Sequence, residues 1–386
     1  MITKKYYKLV RVSYADSGYL YIKNVSNSSG VFSVTRTGSP VSNPDIEYST
    51  DGVTWTAYNF TNLPTIEVPA GNSMYLRGTN PNGLTTSSGN SYYNFNFNTD
   101  FVVGGNFWSI LDKTNYASVT SLPSLGYFKS LFEGNTTLLD AGDMNFGNVT
   151  TLRMVSGLFG GCTSLTTPPD MSSVTTIDAA GCRYMFWGCT SLTTAPDLSS
   201  VTSIGNYGCE YMFQNCTSLT TPPDLSSLTS INMYGCQYMF YGCTSLATAP
   251  DMSSVTSIEN YGCPGMFNGC TSLTTAPDLS SVTVIKTNSY GSMFHNCTSL
   301  TTAPDLSSVT SVESGGCNQM YYMCQKLSSV TTPNIDTWDT SKFNNWLYNT
   351  GTSATGTKTV YKPAALTVPT NSTSGVPTGW TVENYA

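Results

Sequence analysis

Residues 182–208 read CRYMFWGCTSLTTAPDLSSVTSIGNYG, and at Cys209 the same pattern begins again. Cys162, Cys189, Cys216, Cys243, Cys270, Cys297 and Cys324 recur every 27 residues without a slip, and so do Leu165, Leu192, Leu219, Leu246, Leu273, Leu300 and Leu327. A fixed period of this length marks a solenoid. One unit alone cannot cover its apolar side chains, and stacking on its neighbours buries them. Within the unit, Cys182, Met185, Phe186 and Cys189 stand at i, i+3, i+4 and i+7, which predicts a short amphipathic helix. Residues 191–196 are brief, threonine-rich and stopped by Pro196, which suits one short strand per coil. Residues 201–204 make a second extended piece, so strand, turn, extended piece and helix close one turn of an arc.

The unit, with its Tyr-Met-Phe-x-Gly-Cys-Thr-Ser-Leu-Thr-Thr-Ala-Pro core, resembles the BspA-like, or Treponema-type, leucine-rich repeat of bacterial surface proteins. It is about four residues longer than the usual repeat of that family, close to one helical turn, and the extra turn is placed in the Tyr-Gly-Cys-x-Tyr-Met-Phe segment. Such versions are similar to those encoded by gut Bacteroides-type bacteria and their phages. The resemblance covers roughly half of the chain; it implies architecture and says little about ligand.

Outside the array, residues 6–12, 19–25, 31–36, 46–58, 65–77 and 92–103 alternate or carry β-branched and aromatic side chains between Gly, Pro, Asn and Asp breaks, which predicts strands. Asp51-Gly52 is a hairpin signal. The expected architecture is mainly β with short helices. An Ig-like antiparallel β-sandwich, the anchor or stalk, occupies residues 1–105. The solenoid follows at 106–337, with an atypical entry coil at 106–131 and the repeats at 132–337. Residues 338–386, with Trp338, Trp346 and Trp380, form a carboxy-terminal cap containing strands near 358–361 and 380–382.

Of the 386 residues, 39% are hydrophobic and only 10% charged, against about 25% charged in ordinary soluble domains. A net charge of −7 provides no basic stripe for phosphates, so nucleic-acid binding is not expected. No stretch reaches the roughly 20 apolar residues of a membrane span, so no membrane insertion is expected. Lys4 and Lys5 are not followed by the apolar run of about 7 to 15 residues that a secretory signal needs, so export by that route is not expected.

All twelve cysteines lie in the array. Positions i and i+7 of a helix are about 10.5 Å apart, beyond the roughly 7 Å between Cα atoms that a disulfide accepts, so they are read as small buried hydrophobes. Zinc is disfavoured, because there is no Cys-x-x-Cys pair and His295 is the single histidine. Asp143, Asp170, Asp197, Asp224, Asp251, Asp278 and Asp305 form a ladder that either caps turns through the Ser-Ser pair that follows or gathers calcium. Neither cofactor nor metal is assigned.

Identical carboxylates in every coil do not make the distinct acid and base that catalysis requires, and no enzyme activity is expected. Two positions vary from coil to coil: Trp187, Gln214, Tyr241, Asn268, His295, Tyr322, and Arg183, Glu210, Gln237, Pro264, Gly291, Asn318. Trp187, Tyr241, Tyr322, His295 and Arg183 are therefore the candidate partner contacts. The low charge and the stalk-plus-solenoid layout favour a non-enzymatic phage virion protein. It would be a head or tail fibre or decoration protein on the particle exterior, homo-oligomeric, joined to other virion proteins and contacting a host surface glycan or protein. The repeat equally supports a secreted BspA-like adhesin on a bacterial cell surface.

Overall fold

The computed structural model describes residues 18–38, 44–81, 83–84, 91–119, 128–153, 155–370 and 373–385. The strand expected at 6–12 and part of the entry coil, including Leu122, lie outside them. Eight strands come first: β1 (Leu20–Asn24), β2 (Gly30–Thr37), β3 (Ile46–Ser49), β4 (Thr56–Ala57), β5 (Ile66–Val68), β6 (Ser73–Gly78), β7 (Tyr92–Phe97) and β8 (Phe101–Asn106). One sheet has the order β4-β3-β6-β1-β8 and the other β5-β2-β7, and every pairing among these eight is antiparallel. Alternation supplies the inner faces, as in β2, where Phe32 and Val34 are buried and Val31 and Ser33 half-buried. Phe32 meets Tyr58 and Phe95 edge-on, with ring centroids 6.1 and 5.5 Å apart.

The run at 65–77 breaks into two strands at Gly71 (φ 77), and the run at 92–103 breaks between Phe97 and Phe101, each half joining a different sheet. At the predicted hairpin, Gly52 takes φ 76, and the Asp51 carboxylate accepts the amides of Thr54 (2.7 Å) and Val53 (2.8 Å), which holds its pKa far below the usual range. The two-sheet architecture matches the Ig-like expectation. The last strand differs: β8 crosses to pair with β1 instead of staying beside its predecessor, as the final strand of an Ig sheet does.

That crossing joins the sandwich to the solenoid. The other edge of β8 pairs in parallel with β9 (Leu138–Asn145), which in turn bridges to the next coil at Asp140–Thr167 and Asn145–Asp170. Asn135 ties the same seam: its Nδ2 donates to the carbonyls of Phe95 (2.8 Å) and Phe132 (2.9 Å), and its Oδ1 accepts the Phe97 amide (3.3 Å). Phe95 and Phe132 pack edge to face at 6.3 Å, so one hydrophobic core runs through both parts. The segment expected to be a stalk therefore covers the first coil.

The amphipathic helix expected at 182–189 is not formed. The only helical segments among the described residues are two 3-10 turns, Phe107–Ile110 and Tyr116–Ser118. Residues 180–189 are instead a chain of tight turns whose amides alternate between two directions. Met185, Trp187 and Cys189 donate three residues back, to the carbonyls of Cys182, Tyr184 and Phe186. Cys182, Tyr184, Phe186 and Gly188 donate across to Gly208, Glu210, Met212 and Gln214 of the next coil, at 2.7 to 3.0 Å. An α-helix consumes its amides internally, whereas this arrangement knits coil to coil. Every fourth residue takes a left-handed φ, as at Ala180 (53°), Tyr184 (56°) and Gly188 (70°). A four-residue repeat throws Cys182, Met185, Phe186 and Cys189 inward just as a 3.6-residue helix would, and all four are fully buried.

The strand faces are also redistributed. The principal ladder is built from the second extended piece: β10 (Thr151–Leu152), β11 (Thr176–Ile177), β12 (Ser203–Ile204), β13 (Ser230–Ile231) and β14 (Ser257–Ile258) pair in parallel, followed by the separate pair β15 (Val284–Ile285) and β16 (Ser311–Val312). The threonine-rich segment expected to be the strand makes single bridges such as Thr194–Thr221 and Thr275–Thr302. Its hydroxyls reach the neighbouring coil, Thr220 Oγ1 to the Thr193 carbonyl at 3.2 Å, and the parallel row does likewise, Thr229 Oγ1 to Thr202 at 3.0 Å. At the far end β17 (Ser329–Thr331), β18 (Thr359–Lys362) and β19 (Thr381–Asn384) add parallel rungs, and Trp346 closes the core over Tyr321 with centroids 6.2 Å apart.

Candidate functional site

The turn ladder places three side-chain columns on the surface. In the first, Tyr184, Tyr211 and Tyr238 stack at 5.0 and 5.3 Å, with rings within 12° of parallel. In the second, Tyr207, Tyr234 and Tyr261 stack at 4.8 and 5.1 Å. These distances follow the spacing of adjacent strands, about 4.8 Å, so stacking is a consequence of the coil repeat. All six tyrosines have left-handed backbones, with φ from 50 to 58°. That conformation costs an ordinary residue roughly 1 kcal/mol or more and persists where its surroundings fix it. Here the cross-coil amide bonds and the stacked rings fix it.

The third column carries the residues singled out from sequence. Trp187 and Tyr241 are exposed (40% and 37%), and Tyr238 meets Tyr241 edge-on at 5.7 Å. Gln214 and Asn268 separate Trp187, Tyr241 and the group that follows. His295, Tyr322 and Tyr348 do touch, stacked at 4.8 and 4.9 Å. His295 is half-buried, with Nδ1 unpartnered, and burial lowers its pKa. Arg183 is committed elsewhere: its Nε lies 2.5 Å from Glu210 Oε2, and its guanidinium sits over the rings of Tyr184 and Tyr207 at 5.0 and 5.5 Å. Burial pushes the Glu210 carboxyl up, against the pull of Arg183. The sequence reading thus found the third column and missed the other two. Their signal was present as tyrosines at a 27-residue period, but helices packed about 8 to 10 Å apart would have held the rings beyond stacking distance.

The aspartate ladder caps turns. Asp170, Asp197, Asp224, Asp251, Asp278 and Asp305 each accept the amide two residues on, at 2.9 to 3.0 Å. Ser199 and Ser253 hold Asp197 and Asp251 below the usual carboxylate range. Asp143 departs from the row and accepts the Tyr21 hydroxyl at 3.1 Å. Among the described residues, no three His, Cys, Asp or Glu side chains converge as a metal site would require, and no helix is long and apolar enough to cross a membrane. The twelve cysteines are free thiols in the core. Seven of them donate to a phenylalanine carbonyl 30 residues earlier, as Cys216 does to Phe186 at 3.1 Å.

A sandwich sealed onto a stack of parallel two-residue strands, with leucine inside the coils and cysteine inside each repeat from Cys162 to Cys324, defines a leucine-rich-repeat solenoid. The description "BspA type Leucine rich repeat region" matches residues 145–274 and 209–350, in six copies. These ranges span more than half of the chain, which belongs to that family. No curated protein sequence matches it. Among solved structures it is similar to a leucine-rich cell surface protein from Faecalibacterium prausnitzii, with 18% identity, 70% of this chain and 78% of the other covered, and a TM-score of 0.32. It is also similar to a leucine-rich repeat protein of T. pallidum (20%, 52% and 72%, TM-score 0.29) and to the pneumococcal vaccine antigen PcpA (14%, 70% and 73%, TM-score 0.35).

Proposed function

We propose that this chain is a non-enzymatic recognition protein, displayed on an exterior surface, whose turn face contacts glycans through its ranks of aromatic rings. The observation that carries the reading is the set of six stacked tyrosines held in left-handed backbone. Stacking at about 5 Å covers the ring faces inside each column and leaves ring edges and phenol hydroxyls outward, an apolar rim beside hydrogen-bonding groups that suits the mixed C–H and hydroxyl surface of a sugar. With few charges nearby, each contact is weak and short-ranged, so useful binding comes from repetition along the coils and from clustering several copies.

Membership of the BspA-type family supports display on a bacterial cell surface. The rod form, with a sandwich sealed to one end of a solenoid, also suits a homo-oligomeric fibre or decoration protein projecting from a phage particle alongside other virion proteins. Antibody labelling in electron micrographs separates the two carriers by whether cells or particles are decorated. Glycan contact is tested with the full chain clustered on beads over surfaces coated with host glycans. Clustered protein should bind at least tenfold better than monomer, and Tyr211→Ser with Tyr238→Ser and Tyr241→Ser should abolish the gain. Equal retention of wild type and triple variant would overturn the reading.

A further inference from the structure

The tyrosine column ends abruptly at Tyr184, and the third column ends at Trp187. One coil earlier, the same two registers hold Gly157 and Gly160, and the cross-coil bonds from Gly157 to Arg183 (2.8 Å) and from Gly161 to Trp187 (2.5 Å) confirm that these coils are neighbours. One coil earlier again, the registers hold Ser130 and Glu133. A rung of side chains is therefore missing between an aromatic wall and a polar wall, which at strand spacing leaves about 10 Å from one to the other. The gap is a pocket of about 290 Å³, closed on the sandwich side by Tyr92 and flanked by Lys129.

Two features mark this notch as built to be filled. Ser130 lines the pocket at 1% exposure, and its Oγ is buried without a hydrogen-bond partner, an unpaired state that a ligand hydroxyl reaching it would relieve. A Cβ on Gly157 would stand 3.1 Å from that Oγ and 3.8 Å from Glu133 Oε2, so glycine leaves room just where both polar atoms point. Gly157 has φ 63, like the tyrosines in its column, so its register does not itself demand glycine.

We propose that this notch is a subsite for one neutral hexopyranose ring. The sugar's C–H face lies on Tyr184 and Trp187 as the missing rung, and its hydroxyls donate to Glu133 and pair with Ser130. A flat aromatic ligand would satisfy the ring wall but leave Ser130 and Glu133 facing carbon, whereas a pyranose serves both walls. The proposal deepens the glycan-contact reading by assigning a defined pocket in addition to the repeated face.

The test titrates the full chain with methyl glucoside, methyl galactoside and methyl mannoside, following tryptophan fluorescence and ligand-observed saturation-transfer NMR. At least one should bind saturably. Glu133→Gln should weaken it tenfold or more, and Gly157→Tyr, which supplies the missing rung, should abolish it with the circular dichroism spectrum and melting temperature retained. Saturable binding undiminished in both variants, no binding of any of the three sugars, or binding of p-cresol with none of the sugars would each overturn the subsite. Bead clustering separates this from the wider reading. Gly157→Tyr protein that loses the free sugar but keeps clustered surface binding places the repeated face and the pocket in separate roles. Free-sugar binding without clustered binding leaves the subsite standing and sinks the face.

Discussion

The thiols show how one side chain can serve the solenoid in two ways. Each is small enough for the core, and seven return a hydrogen bond to a carbonyl of the neighbouring coil, so buried backbone oxygen is not left bare. Burial raises the Cys216 pKa from its ordinary 9.0 to about 12. Because the folded state keeps a proton that the unfolded state releases, this thiol's contribution is fully present below pH 9 and is lost as pH rises from 9 to about 12. Denaturant midpoints should therefore hold level up to about pH 9 and fall beyond it, and Cys216→Ala should flatten part of that fall. In the native state at pH 8 a thiol reagent should find almost none of the twelve cysteines, and all of them in guanidinium. The buried role was legible from their position on the inward stripe of the repeat. Their hydrogen bonds were not, since the acceptors lie in the next coil and depend on a backbone path that the spacing alone does not specify.

That path is where sequence and structure part. Inward residues at i, i+3, i+4 and i+7 are compatible with both a helix of 3.6 residues per turn and a run of four-residue turns, and over one ten-residue segment the two periods do not diverge enough to be told apart. The glycines carried the missing information: Gly188, Gly242 and Gly269 recur in one register and share φ near 70 to 77°. Replacing one of them tests the backbone by sign. In a helix Gly188→Ala would stabilise by about 1 kcal/mol. On a left-handed turn with open space around the new methyl, 3.8 Å from Gly161, it should instead destabilise by about 1 to 2 kcal/mol in urea melts. A second prediction concerns the core column of stacked phenylalanines, which ends with Tyr321, 5.7 Å from Phe294. Its hydroxyl is buried without a partner, so Tyr321→Phe should raise stability by about 1 kcal/mol, and a loss of that size would show that the hydroxyl is bonded after all.

Across the whole molecule, the existence of a repeat array with a β-rich leader was readable because both signals are local: a strict period in one part, alternation in the other. How the two meet was not readable, because the parallel pairing of β8 with β9 joins Phe101 to Leu138 and Asn106 to Asn145 across a long connection that has no composition of its own. The join has a thermodynamic consequence. An open solenoid end frays, since its last coil is covered on one side only. With the sandwich sealed onto that end, the first coil is as buried as the middle ones, with Leu131, Phe132 and Leu138 all at 0 to 1% exposure. Sandwich and solenoid should therefore unfold in one calorimetric transition. Asn135→Ala is the sharpest test. It strands the Phe95 carbonyl and the Phe97 amide, buried groups whose loss of partners costs about 1 to 3 kcal/mol each. If the seam couples the two parts, the variant melts lower as a single transition, and hydrogen exchange quickens in the coils near residue 140 as well as in β7. A variant that splits into two transitions, with the coils unchanged and only the sandwich weakened, would mean the two parts fold independently and that the sandwich is a separable stalk.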